Sequence, residues 1–281
     1  MNYESVKWYI NNTCNLNCSF CFAQNIKEQN NSLEDKYKIL DKLYKDKVAN
    51  VDFFGKEPLL NEDIFKIMKY GESKNYDFYY SFISNGKNLK KYTNQLIDSP
   101  CREFTISYDF HKGEREYQFD LADLALFKDS FFIELSVDLY EANMEEILSE
   151  VKNLYSLGVN SLYFNPIMPI VGSDLKALSE DTYFSFINSF LSACDDNLYF
   201  TFKIPYQMKE LTTAFQDSDW CDTEPFCSAG KSHFCISCSG RAYGCVSQCA
   251  IANLNNSCDY LSTPFDELYE ILSSHTGRLC I

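Results

Sequence analysis

The sequence predicts an α/β fold, in which a partial (β/α)6 parallel barrel is followed by a small C-terminal cysteine-rich domain. Three observations support this prediction. Short apolar runs alternate with amphipathic helical patterns from residue 6 to about 194, the periodicity breaks after about Pro205, and eight of the 13 cysteines lie between residues 221 and 280. We therefore divide the chain into a barrel domain, 1–205, and a cysteine-rich domain, 206–281.

Six runs that are dense in aromatic and β-branched residues predict buried strands. Since helical patterns separate these runs, the strands are expected to lie parallel, with the helices outside, as about three-quarters of a full eight-unit barrel. The runs are Val6–Ile10, Val51–Phe54, Phe78–Ser84, Phe104–Asp109, Phe131–Asp138 and Leu162–Ile167.

The intervening helices have recognisable starts. Ser32 is the predicted cap of a helix that runs to about Lys47. Three further helices are predicted to begin at Asn61, at Asn143 (ending at Gly158) and at Ser179 (running through Phe190), and a short one covers Thr263–Ser274.

The composition excludes several classes of protein. The formal net charge is −15, which disfavours binding to nucleic acid and favours either simple solubility or attraction of a basic peptide. The sequence contains no uninterrupted apolar run long enough to span a membrane, and its beginning does not resemble a signal peptide. We therefore expect a cytoplasmic protein.

Cysteine is the most informative residue type in this sequence. Three cysteines lie within residues 14–21, and only Cys101 and Cys194 occur in the next two hundred residues. Disulfides are rare in the reducing cytoplasm, and an odd total excludes complete pairing within the chain. The two clusters of cysteines therefore indicate metal binding, whereas structural roles are expected for Cys101 and Cys194 and for the three histidines.

The first cluster has the spacing Cys14-x3-Cys18-x2-Cys21. Three thiolates can bind three irons of a [4Fe–4S] cluster, which leaves the fourth iron open to a small molecule. Zinc or a loop without metal are the alternatives from spacing alone. Because Cys14 follows the first strand, the site is expected at the carboxyl ends of the strands, where parallel α/β folds bind ligands.

This segment resembles the signature of the radical S-adenosylmethionine (SAM) superfamily, including Asn15, Asn17 and Phe20. The resemblance implies that the open iron binds SAM. It also implies that an electron, from a donor such as flavodoxin or ferredoxin, cleaves SAM to methionine and a 5′-deoxyadenosyl radical, which abstracts hydrogen from a substrate.

Three later motifs continue the resemblance in order. The segment Phe53-Phe54-Gly55-Lys56-Glu57-Pro58 is similar to the Gly-Gly-Glu-Pro motif that receives the SAM ammonium, although Lys56 replaces the second glycine. Ser84-Asn85-Gly86 and Ser107-Tyr108-Asp109 resemble the motifs after the third and fourth strands. The residues that this resemblance assigns to cofactor binding are Phe20, Gly55, Glu57, Pro58, Asn85, Ser107 and Asp109.

The C-terminal cysteines resemble the opening of the SPASM and twitch domains, which bind auxiliary [4Fe–4S] clusters. Cys227 and Cys245 have the spacing Cys-x12-Gly-x4-Cys around Gly240, whose position indicates a tight hairpin turn. The resemblance implies one auxiliary cluster with Cys221, Cys227, Cys245 and Cys280 as its ligands.

Four cysteines stay unassigned: Cys235, Cys238, Cys249 and Cys258. The chain stops at Ile281, where a full SPASM domain would supply further cysteines. A second register, Cys235-x2-Cys238-x6-Cys245-x3-Cys249, is close to that later series and would build a second cluster. Cys235 is alternatively a small buried apolar residue, and the absence of any auxiliary cluster stays open as well.

Enzymes that combine such domains modify ribosomally made peptides, mature sulfatases, or act on small alcohols and nucleotides. We expect a peptide substrate that undergoes crosslinking, epimerisation or oxidation. Cys14 lies near the start, so we expect no N-terminal leader-binding domain, and a short peptide or a small molecule fits best. The alternatives are a small-molecule dehydrogenase or rearrangement enzyme and a non-catalytic iron–sulfur protein. The sequence identifies no catalytic hydrogen donor or base.

Overall fold

One sheet of eleven strands organises the part of the chain that the structure describes. The structure is a computed structural model. It describes residues 3–18, 21, 23, 28–110, 117, 119–167, 178–194, 196–205, 208–215, 217–223, 230–250 and 257–273.

The order of strands in the sheet is β11-β10-β9-β1-β2-β3-β4-β5-β6-β7-β8, and every pair from β9 to β8 is parallel. Such an arrangement places the carboxyl ends of all these strands at one edge. The strands are β1 Ser5–Tyr9, β2 Asn50–Phe54, β3 Tyr79–Ser84, β4 Glu103–Ser107, β5 Phe132–Leu139, β6 Ser161–Pro166, β7 Tyr199–Ile204, β8 Cys221–Thr223, β9 His233–Ile236, β10 Arg241–Tyr243 and β11 Ser257–Asp259.

The predicted parallel sheet is confirmed, and all six predicted strands are present as β1 to β6. The sheet continues beyond them through β7 and β8. Neither of these two strands was predicted. β7 has alternating aromatic residues, but it follows the last clear helical pattern. The three residues of β8 are too few to show any periodicity.

The helices begin close to their predicted caps. The Ser32 hydroxyl accepts a hydrogen bond from the Asp35 N–H at the start of α1, and Ser179 does the same for Thr182 at the start of α5. Gly158 ends α4 at φ +103°, as its position predicts. The helices are α1 Leu33–Lys45, α2 Asp63–Ser73, α3 Thr93–Ile97, α4 Met144–Leu157, α5 Glu180–Ala193, α6 Lys209–Phe215, α7 Val246–Ala250 and α8 Phe265–Ser273.

The cysteine-rich segment joins the main sheet instead of standing apart from it. β9 pairs with β1 in parallel, and β9 and β10 form the predicted hairpin, with Gly240 at φ +86°. The boundary at residue 205 therefore stays a prediction, since strands from both sides of it share one sheet.

The two faces of the sheet differ in polarity. On the face that packs against the helices, strand residues such as Val51, Phe53, Phe82 and Phe104 are fully buried. The intervening positions are largely polar, and they form hydrogen bonds between neighbouring strands. These bonds join Ser81 to Asp52, Thr105 and Ser161 to Glu134, and Asn165 to Ser136.

The polar face is curled like the inside of a barrel. Lys7 on β1 acts electrostatically on Glu134 on β5, although three strands separate β1 from β5 in the sheet. The negative charge of Glu103 on β4 likewise contributes to the raised pKa of Asp52 on β2. These side chains therefore line a shared interior, the lumen, in which Asp52, Glu103 and Glu134 outnumber Lys7.

Among the helices that the structure describes, none has both the length and the apolar character needed to cross a lipid bilayer.

The lumen generates a first prediction, on stability against pH. Burial, followed by repulsion from Glu103, raises the pKa of Glu134 to about 7 from its ordinary 4.5. Between these values the folded protein binds a proton that the unfolded chain releases. The free energy of unfolding should therefore fall as pH rises, by up to about 1.4 kcal/mol per pH unit. Glu134→Gln should reduce this dependence.

The measurement is urea unfolding of both proteins from about pH 5 to about pH 8. Glu145→Gln on the exposed side of α4 is the matched control and should keep the wild-type slope. Equal slopes for wild type and Glu134→Gln would contradict the assignment.

Candidate functional site

The three-cysteine loop follows β1 at the carboxyl edge of the sheet. Cys14 is exposed, Cys18 is buried and Cys21 is half-buried. The Cys21 N–H donates to the Cys18 carbonyl at 3.2 Å, which places these two residues in one turn. Burial raises the pKa of the Cys21 thiol, and the thiols of Cys18 and Cys14 add to this effect, so the three predicted ligands lie near one another in this loop.

Two groups hold the Cys14 sulfur in place. The Leu16 N–H donates to Cys14 Sγ at 3.4 Å, and Asn85 Nδ2 donates to it at 3.9 Å. Partial desolvation raises the pKa of the Cys14 thiol, and the charges of Glu57 and Cys18 add to this effect, whereas both hydrogen bonds favour the thiolate.

The loop after β2 has an unusual backbone. Gly55 has φ +79°, and a Cβ at this position would overlap the ring of Tyr9. Lys56 has φ +45°, a left-handed conformation that glycine adopts without strain and other residues rarely adopt. Lys56 therefore replaces the second glycine of the motif while keeping a glycine-like conformation. Its ammonium acts electrostatically on Cys21.

Glu57 is fully buried. Its carboxylate accepts hydrogen bonds from the Leu59 N–H at 3.0 Å, the Ser84 hydroxyl at 2.9 Å and the Asn85 N–H at 2.8 Å. Desolvation raises its pKa to about 7 in spite of these bonds. A carboxylate has about four acceptor positions, so the three donors leave about one of them free. The binding of the SAM ammonium by Glu57 stays a prediction. Pro58 is buried and begins a short 3-10 helix.

The backbone of Glu57 also binds the three-cysteine loop. Its N–H donates to the Thr13 carbonyl at 3.1 Å, and its own carbonyl accepts from Asn11 Nδ2 at 2.9 Å. Asn85 completes the connection, because its Nδ2 donates to Asn15 Oδ1 at 2.9 Å. We call this set of contacts around Glu57 the carboxylate clamp. It joins the loops after β1, β2 and β3.

The fourth predicted motif lies on the neighbouring strand. Ser107 ends β4 half-buried, and Asp109 is fully buried two residues later, where its carbonyl accepts from Asn143 Nδ2 at 2.9 Å. All predicted SAM-site residues in the described ranges thus lie at or just after the ends of the adjacent strands β2, β3 and β4. Phe20 lies outside the described residues.

The predicted auxiliary ligands are only partly described. Cys227 and Cys280 lie outside the described residues. Cys221 is on β8, at one end of the strand order, where it acts electrostatically on Tyr183. Cys245 follows β10, near the other end of that order, and it acts electrostatically on Cys235 and Tyr9. The described contacts do not bring Cys221 and Cys245 together.

The unassigned cysteines fall into two places. Cys235 and Cys249 are buried in the same small apolar cluster. Cys238 is buried close to Cys249, and its thiol donates to the Glu28 carbonyl at 3.7 Å. Cys258 lies on β11, opposite Ala242.

The donor set of the first loop fits an iron–sulfur cluster. In the described part of the chain, no three His, Cys, Asp or Glu side chains converge closely enough to hold a single metal ion. Ligands of one ion must meet at one point, whereas the thiolates of an iron–sulfur cube bind separate irons. Three neighbouring thiols on one loop provide that arrangement.

Sequence reasoning missed Tyr9 and the charged residues of the lumen. Tyr9 is fully buried at the end of β1, and its hydroxyl has no hydrogen-bond partner among the residues that the structure describes. The lumen residues Lys7 and Asp52 had a detectable signal, since each is a charged residue inside an otherwise apolar or aromatic strand. No local signal distinguishes Tyr9 from the many other aromatic residues.

Part of the chain, including the three-cysteine loop, is similar to a known family. Residues 8–120 match the sequence model of the radical SAM superfamily. No curated protein matches the chain by sequence.

Several solved structures share the fold. SuiB from Streptococcus suis, bound to S-adenosylmethionine, is 15% identical, with a TM-score of 0.77 over 95% of this chain. The chain spans only 65% of SuiB. The enzyme anSMEcpe with bound AdoMet and Cp18Cys peptide is 17% identical (TM-score 0.70, 96% of this chain and 80% of that one). BtrN in complex with AdoMet and 2-DOIA is 14% identical (TM-score 0.54, 98% and 86%).

The carboxylate clamp generates the second prediction. Glu57→Ala removes the acceptor of three buried donors, so the free energy of unfolding should fall by about 3 kcal/mol or more. Glu57→Gln keeps one carbonyl acceptor and should lose less. Urea unfolding of the anaerobically prepared proteins measures both effects. The exposed Glu72→Ala on α2 is the control, and a Glu57→Ala protein as stable as this control would refute the clamp.

Proposed function

We propose that the chain, in which residues 8–120 match the radical SAM superfamily, is an enzyme of that superfamily and abstracts hydrogen from a peptide. The observation that supports SAM cleavage is the three-cysteine loop, which the carboxylate clamp joins to the loops after β2 and β3. We propose Cys14, Cys18 and Cys21 as the ligands of the cluster.

When bound, a [4Fe–4S] cluster supplies the electron that cleaves SAM to methionine and a 5′-deoxyadenosyl radical. The protein's part is to bind and orient. The loop Gly55–Pro58 and the side chains of Asn85, Ser107 and Asp109 are proposed to bind SAM, because they follow strands that neighbour the three-cysteine loop. Glu57 is proposed to hold the SAM ammonium through its remaining acceptor position.

Two further proposals concern the cellular compartment and the electron donor. A thiol must stay reduced to bind iron, so we propose the cytoplasm as the compartment. We also propose flavodoxin or ferredoxin as the electron donor. A C-terminal auxiliary [4Fe–4S] cluster remains part of the proposal, as does the division into domains at residue 205.

The proposal of a peptide substrate rests on charge and on the solved relatives. The chain has a net charge of −15, and its lumen holds Asp52, Glu103 and Glu134 against Lys7. Such a surface attracts cationic chains. SuiB has been solved with the precursor peptide SuiA, and anSMEcpe with a Cp18Cys peptide. We propose crosslinking, epimerisation or oxidation of a basic peptide.

A small-molecule substrate is the second candidate. BtrN has been solved in complex with 2-DOIA. This chain spans 86% of BtrN but only 65% of SuiB.

The third prediction tests SAM cleavage. Reconstituted protein with dithionite should release 5′-deoxyadenosine, whereas the Cys14→Ala, Cys18→Ala, Cys21→Ala variant should release none, because it lacks the ligands of the cluster. Chromatography of the nucleoside products measures this. Cys101→Ser, at a buried position on the approach to β4, is the control and should keep wild-type release. Full turnover by the triple variant would refute the ligand assignment.

The fourth prediction tests the substrate. Deuterated basic peptides should transfer label to 5′-deoxyadenosine, and association should slow several-fold as the salt concentration rises, because screening weakens attraction between opposite charges. Mass spectrometry of the nucleoside and stopped-flow binding measure these effects. An acidic peptide of equal length is the control. If label were transferred from small alcohols, and if none of the peptides transferred label, the second candidate would be favoured.

A further inference from the structure

A short segment outside the sequence motifs joins the three-cysteine loop to the C-terminal hairpin. The loop leaves β1 through Asn12, and residues 28–31 then lead to the start of α1. Asn12 contacts the returning segment twice. Its Nδ2 donates to the Glu28 carbonyl, and its N–H donates to Asn30 Oδ1 at 3.0 Å. The two ends of the loop therefore lie side by side.

The hairpin of β9 and β10 binds the same segment. The Tyr243 hydroxyl donates to Glu28 Oε1 at 2.8 Å, and the Ser239 hydroxyl donates to Glu28 Oε2. The Cys238 thiol donates to the Glu28 carbonyl at 3.7 Å. Next to it, the Asn31 N–H donates to the Cys238 carbonyl at 2.7 Å. We call these contacts of residues 28–31 with the hairpin and with Asn12 the exit latch.

Glu28 is the centre of the exit latch. Both oxygens of its carboxylate accept a hydroxyl, and its carbonyl accepts from Asn12 and Cys238. Tyr243 is fully buried, and a buried hydroxyl needs a partner, which Glu28 supplies. The residues that bind the carboxylate lie more than two hundred positions further along the chain.

The exit latch and the carboxylate clamp hold opposite ends of the loop. The clamp binds the entrance through Asn11 and Thr13, whereas the latch binds the end that leads to α1. Between them, the Cys21 N–H donates to the Cys18 carbonyl. Closing a loop costs conformational entropy, so ends that the fold already fixes lower the cost of bringing three thiols together.

We propose that Glu28 is a positioning residue for the three-cysteine loop, through which the C-terminal hairpin holds that loop in the shape that a cluster requires. The hydrogen bonds stand by themselves, and the purpose given to them rests on the proposed function. Glu28 acts through the backbone of the loop, and its carboxylate binds the hairpin rather than the three thiols. A hairpin that is far away in sequence is thereby part of the support of the SAM-cleaving site.

The first test uses the full-length protein without metal and measures hydrogen exchange by mass spectrometry. In Glu28→Ala, the amides of the three-cysteine loop, including the Cys21 N–H, should exchange on the order of tenfold faster, because two hydrogen bonds to a charged acceptor are lost. Glu28→Gln should stay near the wild-type rate, since its amide oxygen accepts from one hydroxyl and its nitrogen donates to the other. Gln29→Ala, at the exposed neighbouring position, is the matched control.

Three outcomes of this test would overturn the proposal. Wild-type exchange in Glu28→Ala would show that the loop does not depend on the latch. Faster exchange spread evenly over β2 to β6 would show a general loss of stability. Exchange in Glu28→Gln as fast as in Glu28→Ala would show that the two hydrogen bonds are not what holds the loop.

The second test uses the reconstituted protein after reduction with dithionite. Wild type should give an electron paramagnetic resonance signal that changes when SAM is added. Glu28→Ala should lose this SAM-responsive signal several-fold, because fewer molecules hold the three thiols in place, whereas Glu28→Gln and Gln29→Ala should keep it. A full SAM-responsive signal in Glu28→Ala would contradict the positioning role.

The two proposals fail separately, because the exchange measurement needs neither iron nor SAM. Release of 5′-deoxyadenosine by wild type, together with unchanged loop exchange in Glu28→Ala, defeats only the role of Glu28. Faster loop exchange in Glu28→Ala, without any 5′-deoxyadenosine release by wild type, defeats the proposed function and leaves the exit latch as the support of a loop with another purpose.

Discussion

A buried carboxylate holds the candidate site together. Transfer of an ionised carboxylate out of water is costly, and three hydrogen-bond donors from two loops offset that cost at Glu57. Its pKa nevertheless rises to about 7, so desolvation outweighs the donors. The backbone of the same residue binds Asn11 and Thr13, which precede Cys14. The position of the cysteine loop therefore depends on the backbone of this buried residue as well as on its own short turn.

The strained loop beside Glu57 connects this site to the C-terminal hairpin. Gly55 must lack a side chain because the Tyr9 ring lies against it, and Lys56 adopts a left-handed conformation directly after it. Tyr9 in turn packs among the thiols of Cys235 and Cys249. One ring thus contacts both the loop after β2 and the second group of cysteines. Strands from both parts of the chain belong to one sheet, so a boundary drawn at residue 205 divides that sheet.

Local signals made much of the fold predictable from sequence. Ser32, Gly158 and Gly240 perform the capping and turn roles that their residue types favour, and six aromatic runs became six strands. The spacing had already placed Cys235 and Cys249 in one register, but their contact with Tyr9 was not predictable. Cys235 and Tyr9 meet only when β9 pairs with β1, more than two hundred residues away in sequence. A spacing motif describes neighbours along the chain, whereas a ligand set depends on which strands are adjacent. The motif therefore identified the three-cysteine loop, which is local, more securely than any auxiliary set.

The lumen gives the peptide proposal its physical basis. Burial raises the pKa of both Asp52 and Glu134, and each also feels repulsion from Glu103, so the interior holds carboxyl groups in an environment that disfavours their charge. Lys7 is the nearby cation that acts on both of them. A cationic side chain that entered this space would favour the ionised carboxylates and gain from them, whereas a neutral substrate would leave the repulsion unrelieved. Under the peptide proposal, selectivity for an arginine- or lysine-bearing chain would arise from carboxyl groups that the fold places in the lumen and that ionise fully when a cation enters.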